Sequence, residues 1–115
     1  YQVADKGIYM DSGRGFTVNS VVKPDFCAPA VHVQGVGTRG NYVTASGTSV
    51  AAAITAGACA QLMEWGIFRK NPLSLNSVEI GNILIRGCDR NRDTVYPNTS
   101  WGFGRLNVYQ AFLTV

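Results

Sequence analysis

An α/β fold is what this sequence predicts, and three observations carry the prediction. Short β-branched or alternating stretches, punctuated by Gly, Pro, Asp and Asn, occupy the first 45 residues. An uncharged run then opens at Tyr42 and turns into an alanine-rich, helix-forming segment after Gly47-Thr48-Ser49. Two more segments with helical spacing follow it. Strands first, a central apolar helix and peripheral helices fit layers of sheet and helix better than a bundle or a sandwich. At 115 residues the chain is at most one domain.

The elements can be justified in order. Residues 1–30 read as strands and turns, with Asp11-Ser12-Gly13-Arg14-Gly15, Lys23-Pro24-Asp25 and Ala28-Pro29 as punctuation. Val31-His32-Val33 alternates like a short strand, and residues 41–45 read as another, entered through a glycine-rich turn over 35–40. Residues 49–65 predict a helix stopped by Gly66. Its interior is apolar or small on every face until Glu64, the pattern of a buried helix, and Ala53, Gly57 and Ala60 would admit close neighbours. Ser74 or Asn76 can cap a second helix to Arg86, with Val78, Ile80, Ile83 and Leu84 available for burial and Gly87 as its end. Residues 89–99 read as loop. Asn107 can cap a last helix anchored by Tyr109, Phe112 and Leu113. The strands are too few to cover a helix apolar all round, so part of the layer structure is expected to lie outside this chain.

Composition narrows the function. Hydrophobic residues make up 46% of the chain, too many for a disordered segment. The net charge is +3, and the densest charged cluster, Asp89-Arg90-Asn91-Arg92-Asp93, is of mixed sign. That is not the basic stripe of a nucleic-acid binder. Cys27, Cys59 and Cys88 are odd in number and widely spaced, which argues against a disulfide framework or a zinc site. No signal peptide is evident, and the apolar stretch, rich in Ala, Gly and Thr, reads as too short to cross a bilayer. The chain opens at Tyr1 without a Met, as a processed product or an excised piece would.

Several motifs look like chemistry. Gly35-Val36-Gly37-Thr38-Arg39-Gly40 fits GxGxxG, but a strand-like run follows where a dinucleotide site needs a helix, and no acidic residue appears before Glu64. Residues 89–93 resemble the start of a calcium loop, yet Thr94 and Ser100 stand where Gly and the bidentate Glu belong. Neither a cofactor nor a metal is therefore expected. Asn98-Thr99-Ser100 is a formal sequon too short to carry weight. His32, the one histidine, lacks a recognisable carboxylate partner and by alternation faces away from Val31 and Val33. Ser49 has two readings on geometry alone. It can cap the buried helix. It can equally be a nucleophile on the first turn, where its unpaired N–H would face a developing oxyanion.

The letters around Ser49 separate these readings. Gly47-Thr48-Ser49, then Val50-Ala51 and Ala56-Gly57, resembles the GTSxA…AG serine motif of the subtilisin-like serine proteases. Lys23-Pro24-Asp25 with Ala28-Pro29 is similar to the KPDxxAPG segment upstream of that serine. Trp101-Gly102-Phe103-Gly104-Arg105-Leu106-Asn107 with Ala111 is similar to the family's closing G-x-G motif and last helix. The three occur in family order over roughly residues 12–115, and their wording looks closest to a clostridial-type branch that includes proteases associated with spore germination.

The resemblance implies a three-layer α/β/α domain around a largely parallel sheet, with residues 1–115 as the C-terminal part of its catalytic domain. It implies that Ser49 is the catalytic nucleophile of an endopeptidase acting on peptide or protein substrates through an acyl-enzyme. The family's Asp and His precede the serine, and so does an oxyanion-binding Asn. His32 lies inside the KPD…AP segment, where the family has no base. This chain alone is thus expected to be inactive, and to self-associate or pair with the missing N-terminal part of its domain. No nucleic acid or membrane partner is implied. The sequence departs from the family at Ala30, which replaces a Gly, and at Ala53 and Ile54, which replace Pro and His. A non-catalytic pseudoprotease or interaction module, with Ser49 as a helix cap, is the alternative.

Overall fold

Two antiparallel hairpins lead into three helices in the computed structural model of this chain, which describes residues 1–68 and 75–115. Strands β1 (Gly15–Phe16) and β2 (Val22–Lys23) pair Gly15 with Lys23 and Phe16 with Val22. Their connection closes through Thr17, whose N–H donates to Val21 O and whose Oγ1 accepts from Val21 N–H at 3.1 Å. Strands β3 (Val33–Val36) and β4 (Tyr42–Ala45) form the second hairpin, in register from Val33 with Ala45 to Val36 with Tyr42. Helices α1 (Thr48–Phe68), α2 (Ser77–Arg86) and α3 (Val108–Leu113) follow.

The α/β character holds, but a largely parallel sheet is not what the described residues form. Both sheets are two-stranded and antiparallel. Parallel pairing occurs only as isolated contacts. Cys27 bridges Arg105 in parallel, and Tyr1 donates to Ala28 O while Ala30 N–H donates to Tyr1 O, each at 2.8 Å. The latter exchange is the hydrogen-bond pattern of a parallel pair.

The core lies where the three helices meet. Ala58 and Leu62 of α1 pack with Ile80, Ile83 and Leu84 of α2 and Ala111 of α3, flanked by Phe26, Leu106 and Phe112. Helices α1 and α2 each contribute residues three or four apart, the spacing that brings side chains onto one face, and α3 contributes Ala111. Val78, available for burial by pattern, is instead 68% exposed, and Tyr109 and Leu113 of α3 are 70% and 62% exposed. Their positions on the helix turn them away from the shared face. Phe112 packs on the core and meets Trp65 edge-on at 6.2 Å.

Helix α1 differs from expectation in two respects. It runs through Gly66 to Phe68, because Gly66 is a contact point and not a stop: a Cβ there would overlap Leu75. Among the described residues it is also buried only at Ala58, Leu62 and Gly66, so they leave its apolar character without matching cover. Ala53, Gly57 and Ala60 are exposed, and nothing lies within 4 Å of a Cβ at Gly57. The helix has 21 residues, about 31 Å at the usual rise. By length and composition alone it is therefore long and apolar enough to cross a membrane, contrary to the sequence expectation.

Helix α2 starts and ends near where its sequence predicts. Asn76 Oδ1 accepts from Glu79 N–H at 2.9 Å, and Gly87 N–H closes the last turn on Ile83 O. The competing cap, Ser74, lies outside the described residues. Asn76→Ala is expected to cost about 1 kcal/mol of stability through loss of this cap. Denaturant unfolding of the full-length polypeptide measures it, and no loss would show that the cap is redundant. Asn107 caps α3 in the same way, accepting from Gln110 N–H at 3.0 Å.

Candidate active site

Two residues, Ser46 and Gly47, join β4 to α1, and they decide how Ser49 is presented. Gly47 has φ +149°, a backbone region that L side chains rarely adopt, which lets the chain swing from strand into helix. Its carbonyl accepts from Val50 N–H at 3.1 Å and from Ala51 N–H at 3.4 Å. The residue whose carbonyl takes the first helical bond is the N-cap, so Gly47 caps α1. Thr48 and Ser49 are the first two helical residues. Ser49 is therefore not the helix cap, and that part of the alternative reading is corrected.

Ser49 is exposed, and its Oγ makes no hydrogen bond among the described residues. The N–H groups of Thr48 and Ser49 likewise meet no acceptor among them, as expected of a helix's first turn. A free hydroxyl thus stands beside free amide donors at the positive end of a 21-residue helix. This arrangement can attack an electrophilic carbonyl and stabilise the resulting oxyanion, provided a base takes the hydroxyl proton.

The turn is tethered to the Ala28-Pro29-Ala30 segment. Gly47 N–H donates to Ala30 O at 2.7 Å, and Ala30 is 1% exposed. Alanine serves here because Ala30 does not take a left-handed conformation, so the glycine it replaces is not required. His32 N–H donates to Ser46 Oγ at 2.8 Å. The His32 backbone is left-handed at φ +52°, and β3 begins only at Val33, so His32 is not within a strand. No ion pair or hydrogen bond engages its imidazole among the described residues, which leaves it without an orienting carboxylate.

Two clefts flank the start of α1. One, of about 300 Å³, lies between the second hairpin and the helix, with Val33, Val36, Val43, Val50, Ala53 and Ser49 in its lining and no titratable side chain. The other, of about 450 Å³, runs between Ala28, Ala30 and the opposite side of the helix at Thr48, Ala51 and Thr55. Gly47→Ala would place a Cβ 3.3 Å from Ser49 Oγ in a strained backbone. Its expected cost is about 1–3 kcal/mol. Unfolding of the full-length polypeptide by denaturant measures that cost, and an unchanged midpoint would mean the turn relaxes freely.

The other candidate sites are accounted for by structure. The GxGxxG glycines belong to a hairpin, with Gly35 inside β3 and the last leading into β4, so no helix N-terminus meets a phosphate there. In residues 89–93, Asp89 Oδ1 accepts from Asn107 Nδ2 at 3.0 Å and Asn91 Oδ1 accepts from Arg105 Nη2 at 3.2 Å. Among the described residues no cluster of His, Cys, Asp or Glu could hold a metal ion. Asn98 folds its side chain inward, accepting from Ser100 and Trp101 N–H and donating to Val95 O, which explains its place before a turn without glycosylation. Burial pushes the Cys88 thiol up to about 11 and Cys27 in the same direction, so neither offers a thiolate at neutral pH.

Sequence reasoning located Ser49 but missed its neighbours. The capping role of Gly47 had a signal, since Gly is an accepted N-cap. The Ser46–His32 and Gly47–Ala30 contacts had none, because they join residues 14 and 17 positions apart.

Comparison with known proteins adds to this geometry. A family model described as the Subtilase family (Peptidase_S8) matches residues 4–104. The structure of the Clostridium perfringens CspB protease superimposes with a TM-score of 0.90 at 33% identity, over 97% of this chain and 24% of that one. The prenylagaramide maturation protease PagA superimposes with a TM-score of 0.61 at 25% identity, over 75% of this chain and 31% of that one. This chain thus spans about a quarter to a third of the lengths of these structures. Among curated proteins, none matches it in sequence.

Proposed function

This chain belongs to the subtilase family, and on that premise we propose that Ser49 is the nucleophile of a serine endopeptidase whose catalytic domain has this chain as its C-terminal part. The observation that carries the reading is the unbonded Ser49 hydroxyl, held beside two unbonded amide donors by a glycine-capped helix start. In this reading Ser49 Oγ attacks the scissile carbonyl of a peptide or protein substrate. The tetrahedral oxyanion is held by the Ser49 N–H and by a side-chain amide from elsewhere in the polypeptide. Collapse releases the amine product and leaves an acyl-enzyme, which water hydrolyses.

A histidine base and its aspartate come from the same outside part. Without them Ser49 is a poor nucleophile at neutral pH, so the isolated chain is inactive. The open apolar surface of α1 supports the same reading, since a helix apolar all round calls for cover that these residues do not supply. The cover is the rest of the domain or, failing that, a second copy. The parallel exchange of Tyr1 with Ala28 and Ala30 supports a sheet that continues in parallel beyond this chain, within a three-layer α/β/α domain. The reading calls on no cofactor, metal, nucleic acid or membrane.

The test is fluorophosphonate labelling of the full-length polypeptide, its Ser49→Ala variant and the isolated chain. Labelling of the full-length polypeptide alone is expected. Well-folded full-length protein that takes no label would instead favour a non-catalytic pseudoprotease.

A further inference from the structure

We infer that Ser46 is a positioning residue, whose hydroxyl holds the turn that aims Ser49; the inference rests on the reading of Ser49 as nucleophile. The register of the second hairpin places His32 opposite Ser46, one step beyond the last ladder pair, Val33 with Ala45. That step is a non-hydrogen-bonded pair of the register, since Gly37 N–H donates to Asn41 O and bonded pairs recur every second residue, and a side chain supplies the link there instead. His32 has turned left-handed, and its N–H donates at 2.8 Å to the Ser46 hydroxyl and not to a backbone carbonyl. The next residue, Gly47, donates at 2.7 Å to Ala30 O and at φ +149° leaves the sheet for the helix.

Two consecutive residues are thus pinned to the segment 30–32, immediately before the helix start. The pin at Gly47 is backbone alone, whereas the pin at Ser46 belongs to a side chain that an apolar residue would lack. The Ser46 carbonyl makes no ladder bond to β3 in this register, so the acceptor that meets the turned His32 N–H is the side chain. Only Gly47 and Thr48 lie between Ser46 and the nucleophile, the glycine in a region that other residues avoid. Loss of the pin leaves that short turn held at one point.

Burial distinguishes positioning from bulk stability. Ser46 and His32 are both exposed, so water can replace the lost partner at little cost to folding. A nucleophile is far less tolerant, since a misplacement near 1 Å can slow a reaction by about 100-fold. A large effect on Ser49 reactivity with a small effect on melting is what this geometry predicts.

The experiment compares fluorophosphonate inactivation of the full-length wild-type polypeptide with its Ser46→Ala and Ser46→Thr variants, separating the first-order inactivation constant from reagent affinity. Ser46→Ala is expected to lower the first-order constant by roughly tenfold, with reagent affinity unchanged. Its melting temperature should fall by no more than about 3 °C. Ser46→Thr, which keeps a hydroxyl acceptor, should restore the rate to within about twofold. Wild-type labelling with an undiminished Ser46→Ala rate would overturn this proposal and leave Ser49 as nucleophile. So would a Ser46→Thr variant as slow as Ser46→Ala, or a rate loss matched by loss of folded protein. Absence of labelling in folded wild type would overturn the Ser49 reading itself, and this proposal with it.

Discussion

Ser49→Ala in the full-length polypeptide is expected to abolish fluorophosphonate labelling and to lower kcat for peptide hydrolysis by about 10⁶-fold, a scale carried over from subtilisin, a member of the same family. The variant removes a hydroxyl that is exposed and makes no hydrogen bond among the described residues. It leaves the cap intact, because the carbonyl of Gly47 accepts the first helical bonds whatever side chain follows two residues later. Folding is therefore expected to be unaffected, with a change in stability within about 0.5 kcal/mol. A catalytic loss with an unchanged unfolding midpoint identifies a nucleophile. Retained hydrolysis would show that another group attacks. A large stability loss would instead give Ser49 a structural role that its missing hydrogen bonds do not support.

Gly102→Ala is expected to destabilise the full-length protein by about 3–5 kcal/mol, the range reached when a substitution forces overlap or strain in a packed interior. Gly102 has φ +56°, and a Cβ there would overlap the carbonyl oxygens of Pro24 and Asp25. Those atoms are backbone and cannot swing aside as a side chain can. Asp25 O is also engaged, accepting from Phe103 N–H at 2.7 Å, and Gly102 is itself held by exchanging hydrogen bonds with Asn98 at 2.8 and 3.0 Å. The closing Trp101-Gly102-Phe103-Gly104 motif is thus stapled to the Lys23-Pro24-Asp25 segment, which in turn leads to Ala30 and the serine turn. Gly13→Ala is the control. That glycine is exposed with nothing within 4 Å of a Cβ, and its substitution should change stability by less than about 0.5 kcal/mol. Equal effects of the two variants, read by denaturant unfolding, would refute the packing argument.

Between them these residues show how much of the site was legible in advance. Capping signals act within one turn of chain, so Asn107, and Asn76 as one of two candidates, could be read from sequence, and each accepts from a first-turn amide. Two strands with a glycine-rich turn before the second were legible between residues 31 and 45, but the first starts at Val33 because His32 leaves the extended region, and it runs on through Gly35 and Val36, which read as turn. Gly66 misled, since a glycine that ends a helix and one that admits a neighbour look alike in sequence. Only the approach of Leu75 tells them apart.

By itself the sequence determined the local and the chemical: three helices, candidate caps for the last two, a turn before an apolar helix, and a serine whose neighbours carry a family's motif. Those properties depend on residues within a few positions of one another, where spacing and side-chain type suffice. Tertiary structure alone decided that Gly47 and not Ser49 caps the helix, that the serine turn is pinned to residues 30 and 32, and that the closing glycine rests on residues 24 and 25. Each is a contact between segments distant in the chain or a backbone angle set by such contacts. A hydrogen bond of 2.7 Å between Gly47 and Ala30 leaves no mark in either residue's identity, because its donor and acceptor are backbone groups that nearly every residue carries.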